Sequence, residues 1–132
     1  MLGEQVAEMS GKRVVRRVVS SEPLKVEVSW EESGKVLGMQ CVGFGTYAST
    51  PRPDGSLYGE GQGAITTLEG DLVTWKGSGL GKFKQGGAIA YRGVVYYQTA
   101  SPKLARLNGM AAVFEYDVDA ESKTATKIWE WK

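Results

Sequence analysis

Two adjoining stretches decide the fold: Leu57-Tyr58-Gly59-Glu60-Gly61-Gln62-Gly63-Ala64-Ile65, and Val73-Thr74-Trp75-Lys76-Gly77-Ser78-Gly79-Leu80-Gly81-Lys82-Phe83. Alternate residues of a strand point to opposite faces, so Gly59, Gly61 and Gly63 share one face of the first strand, and Gly77, Gly79 and Gly81 one face of the second. Glycine weakens a strand interior, and glycines at period two fit a sheet that curls sharply or must make room for bulky neighbours. The opposite faces carry Tyr58, Glu60, Gln62 and Thr66, then Thr74, Lys76, Ser78 and Lys82. Those faces are mostly polar, so the glycine faces point inward. A small, tightly coiled β-barrel is the architecture this pattern predicts.

Working outward, Leu24, Val26, Val28 and Trp30 alternate with Lys25, Glu27, Ser29 and Glu31, as in a half-buried strand. Ser33-Gly34 reads as the next hairpin turn, with a long strand from Lys35 to Ala48 beyond it. Ser49 to Gly55 is a loop, since its two prolines bar regular pairing and Asp54-Gly55 favours a turn. Turns at Glu69-Gly70-Asp71 and Gln85-Gly86-Gly87 bound the second glycine strand, and Ala88 to Thr99 continues as a strand. Ser101-Pro102 and Asn108-Gly109 bracket one helical turn. Met110 to Val118 and Thr124 to Lys132 complete the set.

Upstream, Gly11 to Ser20 reads as a strand whose paired valines suggest a bulge. Met1 to Ser10, with Leu2, Val6 and Met9 at helical spacing, is expected as a short helical or flexible arm. About eight strands joined by hairpin-length connections predict an all-β, eight-stranded antiparallel up-and-down closed barrel, with a short helical turn before the penultimate strand. The 132 residues form a single domain.

Composition removes much chemistry. The chain has no histidine and one cysteine, Cys41. Histidine-based nucleophilic and general-base systems and most catalytic zinc sites are thereby excluded, as is an intrachain disulfide. Cys41 on an apolar strand is expected as a small buried hydrophobe. The net charge of +1 argues against a nucleic-acid binder. No run reaches the ~20 apolar residues of a membrane-spanning helix, and the N-terminal residues lack an apolar signal core, so a cytoplasmic location is expected. Neither glycine row has the G-x-G-x-x-G spacing or the G-K-[ST] ending of a phosphate loop. The basic cluster Lys12, Arg13, Arg16 and Arg17 is expected as a solvated face. No cofactor, metal or catalytic residue is assigned.

On the inward face Trp30, Trp75, Phe83, Tyr91, Tyr97, Phe114 and Tyr116 compete for the lumen. Either they fill the space the glycines leave, or they line an incompletely filled cavity of at least a few hundred Å³ for a small hydrophobic or aromatic ligand. An alternative is a cofactor-free isomerase or cyclase, which needs Glu60, Glu115, Tyr91 or Tyr97 at the cavity wall. Another is a homo-oligomeric assembly module using outward Tyr58, Leu80, Val94 and Tyr96. Gln40, Gln98 and Arg92 would orient a ligand if they pointed inward, whereas Asp117, like Glu60 and Glu115, alternates out of phase with its strand's apolar face.

The segments Tyr58 to Gly63, Trp75 to Gly81 and Ser101 to Gly109, the last leading into Met110-Ala-Ala-Val-Phe-Glu, resemble the allene oxide cyclase-like barrels. That superfamily also takes in dirigent-type proteins and uncharacterised bacterial families. The resemblance, over roughly Gly34 to Lys132, implies a barrel that binds hydrophobic or phenolic small molecules. No stretch matches the cyclases' pocket residues one by one, so no catalytic role is carried over.

Overall fold

The computed structural model describes every residue from Met1 to Lys132. Eight strands run in chain order: β1 (Leu2–Ser21), β2 (Leu24–Val36), β3 (Met39–Pro51), β4 (Leu57–Thr67), β5 (Leu72–Phe83), β6 (Ile89–Thr99), β7 (Ala112–Val118) and β8 (Lys123–Trp131). Each pairs antiparallel with the next, and β1 also pairs with β8, which closes the barrel. A 3₁₀ segment, Pro102–Gly109, lies between β6 and β7 as expected, and a short 3₁₀ turn, Gln85–Gly87, joins β5 to β6. No helix is long and apolar enough to cross a membrane.

The register explains the glycine rows. Gly59 stands opposite Gly79 and Gly61 opposite Gly77, so the rows form one bare patch on the inner wall. Their outward neighbours Tyr58, Glu60, Gln62, Thr74, Lys76 and Leu80 are exposed.

Three expectations are corrected. The loop expected from Ser49 to Gly55 begins only after Pro51, because Ser49, Thr50 and Pro51 end β3, paired with Gly59, Tyr58 and Leu57, proline being tolerated at a strand end. Met1 to Ser10 forms no helix, because Leu2–Ser10 belong to β1. Register shifts between Leu2 and Ala7 place Val6 and Ala7 inside as consecutive buried residues. That irregularity breaks the period of two and imitates helical spacing. Ser33-Gly34 is no turn either, because both residues sit in β2, paired with Val42 and Cys41. The turn falls at Leu37-Gly38, where both residues adopt positive φ (46° and 78°), the geometry of the favoured two-residue hairpin loop. Leucine gives no sequence signal for such a position.

The core divides along the barrel axis. One end is mainly aliphatic, built from Val6, Met9, Val36, Ile65, Val73, Val95, Leu104, Leu107 and Ile128 among others. The 3₁₀ segment plugs it: Leu104 and Leu107 are 0% exposed, and burial of each stabilises the fold by about 1.5–3 kcal/mol. Two polar anchors hold the plug. The Asn108 side chain accepts from Thr99 N at 2.8 Å and donates to Thr99 O at 3.0 Å. Ser101 Oγ donates to Asp71 Oδ1 at 2.9 Å, tying the plug to the β4–β5 turn. The other end is aromatic, formed by Trp30, Tyr47, Tyr91 and Tyr116 with Val28, Leu57 and Val118.

Candidate functional site

The aromatic end is where the glycines act. A Cβ on Gly63 would lie 2.6 Å from the Trp75 ring, one on Gly81 2.6 Å from Tyr91, and one on Gly79 2.9 Å from Phe114. Each ring occupies volume that any side chain at the glycine would claim. The rings also pack on one another: Trp30 lies 5.1 Å from Tyr116 and 5.4 Å from Tyr47, and Tyr91 is 5.7 Å from Tyr47, centroid to centroid. These are contact separations for aromatic pairs, worth ~0.5–1.5 kcal/mol each beyond area burial.

The rings do not fill the lumen. A cavity of about 80 Å³ remains, bounded by Trp30, Tyr47, Trp75, Tyr91, Phe114 and Tyr116 on the aromatic side and by Met9, Ile65, Val95, Tyr97 and Ile128 toward the plug. It is smaller than the few hundred Å³ expected, because the aromatics close over most of the glycine patch. The volume equals the share of about two or three water molecules in the liquid.

Six of the seven lumen residues expected from the sequence line this cavity: Trp30, Trp75, Tyr91, Tyr97, Phe114 and Tyr116. Phe83 does not. It keeps the inward phase of β5 but sits at the strand's last position, past the end of the packed core, and is 61% exposed. Of the carboxylates weighed, Glu60 and Asp117 are exposed and Glu115 is half-buried. Glu115 and Asp117 pair with Arg92 on the outer wall, at 3.9 and 2.8 Å. Gln40 and Gln98 are likewise exposed. Tyr58, Leu80 and Tyr96 are exposed as expected and Val94 is half-buried.

Tyr47 and Glu32 are among the lumen residues that had gone unassigned. Tyr47 follows Gly43 and Gly45 at period two, the same glycine-then-aromatic pattern as β5. Glu32 is the next inward position after Val28 and Trp30, and reading a turn at Ser33-Gly34 concealed it.

Glu32 is the one buried carboxylate. Its Oε1 accepts from Trp30 Nε1 at 3.0 Å and from Thr126 Oγ1 at 3.3 Å, and no protein group bonds Oε2. Desolvation pushes its pKa above the usual carboxylate range, against the lowering effect of those two hydrogen bonds. Burial also pushes Tyr47 up to about 12, and it raises Tyr97 and Tyr116 well above the ordinary phenol value. Cys41 is buried as expected, and its thiol is pushed up to about 11, first by desolvation and then by Glu32. Tyr91 and Ser49 share a hydrogen bond of 2.9 Å. The Tyr97 hydroxyl, also buried, has no partner, nor has Thr124 Oγ1, whereas the Tyr116 hydroxyl lies against that of Tyr47. The lumen is therefore an apolar, aromatic space whose lining residues carry few free polar atoms, chiefly the Tyr97 hydroxyl and Glu32 Oε2. No group of three or more His, Cys, Asp or Glu side chains is placed to hold a metal ion.

Fold and lumen together define a small closed antiparallel barrel with a narrow internal cavity. Several solved structures share that fold, among them the following three. A protein of unknown function from Clostridium acetobutylicum superimposes with a TM-score of 0.85 at 14% identity, over 98% of this chain and 99% of that one. A conserved protein of unknown function from Rhodopseudomonas palustris gives 0.83 at 15% identity, over 98% and 97%. A β-barrel-like protein from Acinetobacter baumannii gives 0.82 at 14% identity, over 100% and 96%. No protein-family model and no curated protein matches the sequence.

Proposed function

We propose that this barrel binds a small, compact ligand, apolar or aromatic over most of its surface, in the lumen and without turnover. The observation that carries the reading is the conjunction of an internal cavity with unpaired polar groups on its wall. About nine in ten or more buried polar groups in proteins are hydrogen-bonded. An orphan hydroxyl on Tyr97 and an open carboxylate oxygen on Glu32, both on residues that line one cavity, call for an occupant that satisfies them. Ligand sites commonly have this composition, mostly apolar with a few convergent polar groups. The resemblance to allene oxide cyclase-like barrels points to the same kind of ligand.

An engineered apolar cavity of about 150 Å³ holds benzene, so a single ring requires some widening here. Displacement of Trp75 or Phe114, the half-buried rings of the lining, would supply it. The test is titration with phenol, followed by NMR of the lumen residues and by thermal shift. Saturable changes at Trp30, Tyr47 and Tyr116 are expected. Their absence up to millimolar phenol would overturn the reading.

A second reading, a cofactor-free isomerase, draws on one observation: the raised pKa of Glu32 inside the cavity. A carboxyl whose pKa is raised by burial is suited to general acid–base transfer. On this reading Glu32→Gln abolishes turnover while leaving ligand affinity within a few-fold of the wild type.

A further inference from the structure

The basic cluster of β1 is divided by a bulge. In a regular strand Arg13 and Arg16, three positions apart, would point to opposite faces. The register shift between Arg13 and Val15 inserts one residue, so Arg13 pairs with Trp30 and Arg16 with Val28. Directly opposed residues of an antiparallel pair share a face, and Trp30 and Val28 are both buried in the lumen. Both arginines are thereby aimed to the lumen side, at the aromatic end. β1 is paired with β8 only as far as Lys12, so this part of the β1–β2 hairpin stands beyond the barrel seam, beside the aromatic mouth.

Neither guanidinium meets an acid. Arg13 donates to the neutral Ser122 Oγ, at 3.1 Å from Nε and 2.7 Å from Nη2. By contrast, outward Arg17 pairs with Glu27 at 3.1 Å, and Arg92 and Arg106 each pair with two acids. Both mouth arginines are close enough to Tyr47 to favour its phenolate, although burial outweighs them.

We infer that Arg13 and Arg16 form an anion clamp at the mouth, and that the lumen ligand is a small aryl carboxylate whose ring enters the aromatic end while its carboxylate stays at the arginines. This rests on the lumen-binding reading and adds the charge of the ligand to it. Guanidinium is suited to planar, bidentate carboxylate recognition. A β-bulge that re-aims side chains beside a site is a recurrent device.

The experiment compares benzoate with the near-isosteric neutral benzamide by NMR titration and calorimetry. The proteins are the wild type, Arg13→Gln/Arg16→Gln and, as a control of equal charge change per residue, Arg17→Gln. Thermal melts confirm that each variant folds. Benzoate is expected to bind the wild type at least tenfold more tightly than benzamide. The double variant should remove that preference, and Arg17→Gln should keep it. Hydrogen bonds to charged groups support a difference of roughly this size. Equal binding of the two compounds, or a benzoate preference that survives in the double variant, overturns the clamp and leaves the lumen reading standing. If neither compound perturbs the lumen residues at millimolar concentration, both inferences fall together.

Discussion

The two ends of this barrel are built from the same strands yet solve different problems. At the plugged end a 3₁₀ segment drives Leu104 and Leu107 into an aliphatic core, and Asn108 and Ser101 pin it by side-chain hydrogen bonds. At the mouth there is no plug. Large aromatic rings lie on glycines there instead. The plug closes the first end, which suits stability. Between the two ends a cavity remains, and the Tyr97 hydroxyl and Glu32 Oε2, left unpaired, belong to residues of its lining. Free energy that better pairing could supply is withheld around that cavity, a pattern common in functional sites.

Breaking the plug should have the largest effect. Leu104→Ala removes a side chain with no exposure, and buried Leu→Ala changes cost about 2–5 kcal/mol. Urea denaturation should show that loss, while the phenol-induced NMR shifts of Tyr47 and Tyr116 persist. Loss of phenol response at full folding would mean the ends are coupled, and the comparison would fail. At the mouth, the glycine seats are tested by a matched pair. Gly63→Ala puts a methyl 2.6 Å from the Trp75 ring, whereas at Gly59 the nearest atom, on the Tyr91 ring, lies at an ordinary 3.4 Å. Overpacking of the first kind costs about 1–3 kcal/mol, with altered tryptophan fluorescence. Gly59→Ala should be close to neutral. Equal costs at both sites would show that the glycines serve backbone curvature rather than ring seating.

These contrasts also show what could be read from the sequence. The barrel was legible because the glycine rows, polar outer faces and short turns agree on one architecture. Six lumen aromatics were legible because period-two alternation carries through the first part of β2 and through β5, β6 and β7. It failed where the ladder is irregular. The shifts in β1 bury Val6 beside Ala7 and turn Arg16 to the lumen side with Arg13; the paired valines between Gly11 and Ser20 marked a bulge, which the register bears out, but not which side chains it re-aims. Glu32 escaped because Ser-Gly is a stronger turn signal than Leu-Gly, although tertiary pairing placed the turn at Leu37-Gly38. Phe83 was misplaced because phase fixes a face and says nothing of depth along the barrel.

Glu32 gives the comparison a pH axis. Its folded pKa is raised by desolvation from 4.5, so between that unfolded value and the folded one the native state binds more protons than the unfolded chain. Its contribution to stability is full below pH ~4.5 and declines as pH rises to the folded pKa, above which it is flat. Glu32→Gln keeps an oxygen to accept from Trp30 and Thr126 and does not titrate. Denaturation curves from pH 4.5 to 8 should therefore show the wild type losing stability relative to Glu32→Gln. Parallel curves would mean that the carboxyl is solvated through the mouth.

The smallest effect separates two tyrosines of the same lumen. Tyr91 has a partner in Ser49, so Tyr91→Phe should cost about 1 kcal/mol, the usual net value of such a bond plus the stranded serine hydroxyl. Tyr97 is 6% exposed and its hydroxyl has no partner. Tyr97→Phe removes a group whose burial is uncompensated, so the ligand-free protein should be unchanged or more stable by up to about 1 kcal/mol. Phenol should then stabilise Tyr97→Phe less than it stabilises the wild type, because the hydroxyl meant for the occupant is gone. A variant that gains stability and keeps the full phenol response would show that Tyr97 is a packing residue, and would move its hydroxyl from the ligand's side of the comparison to the core's.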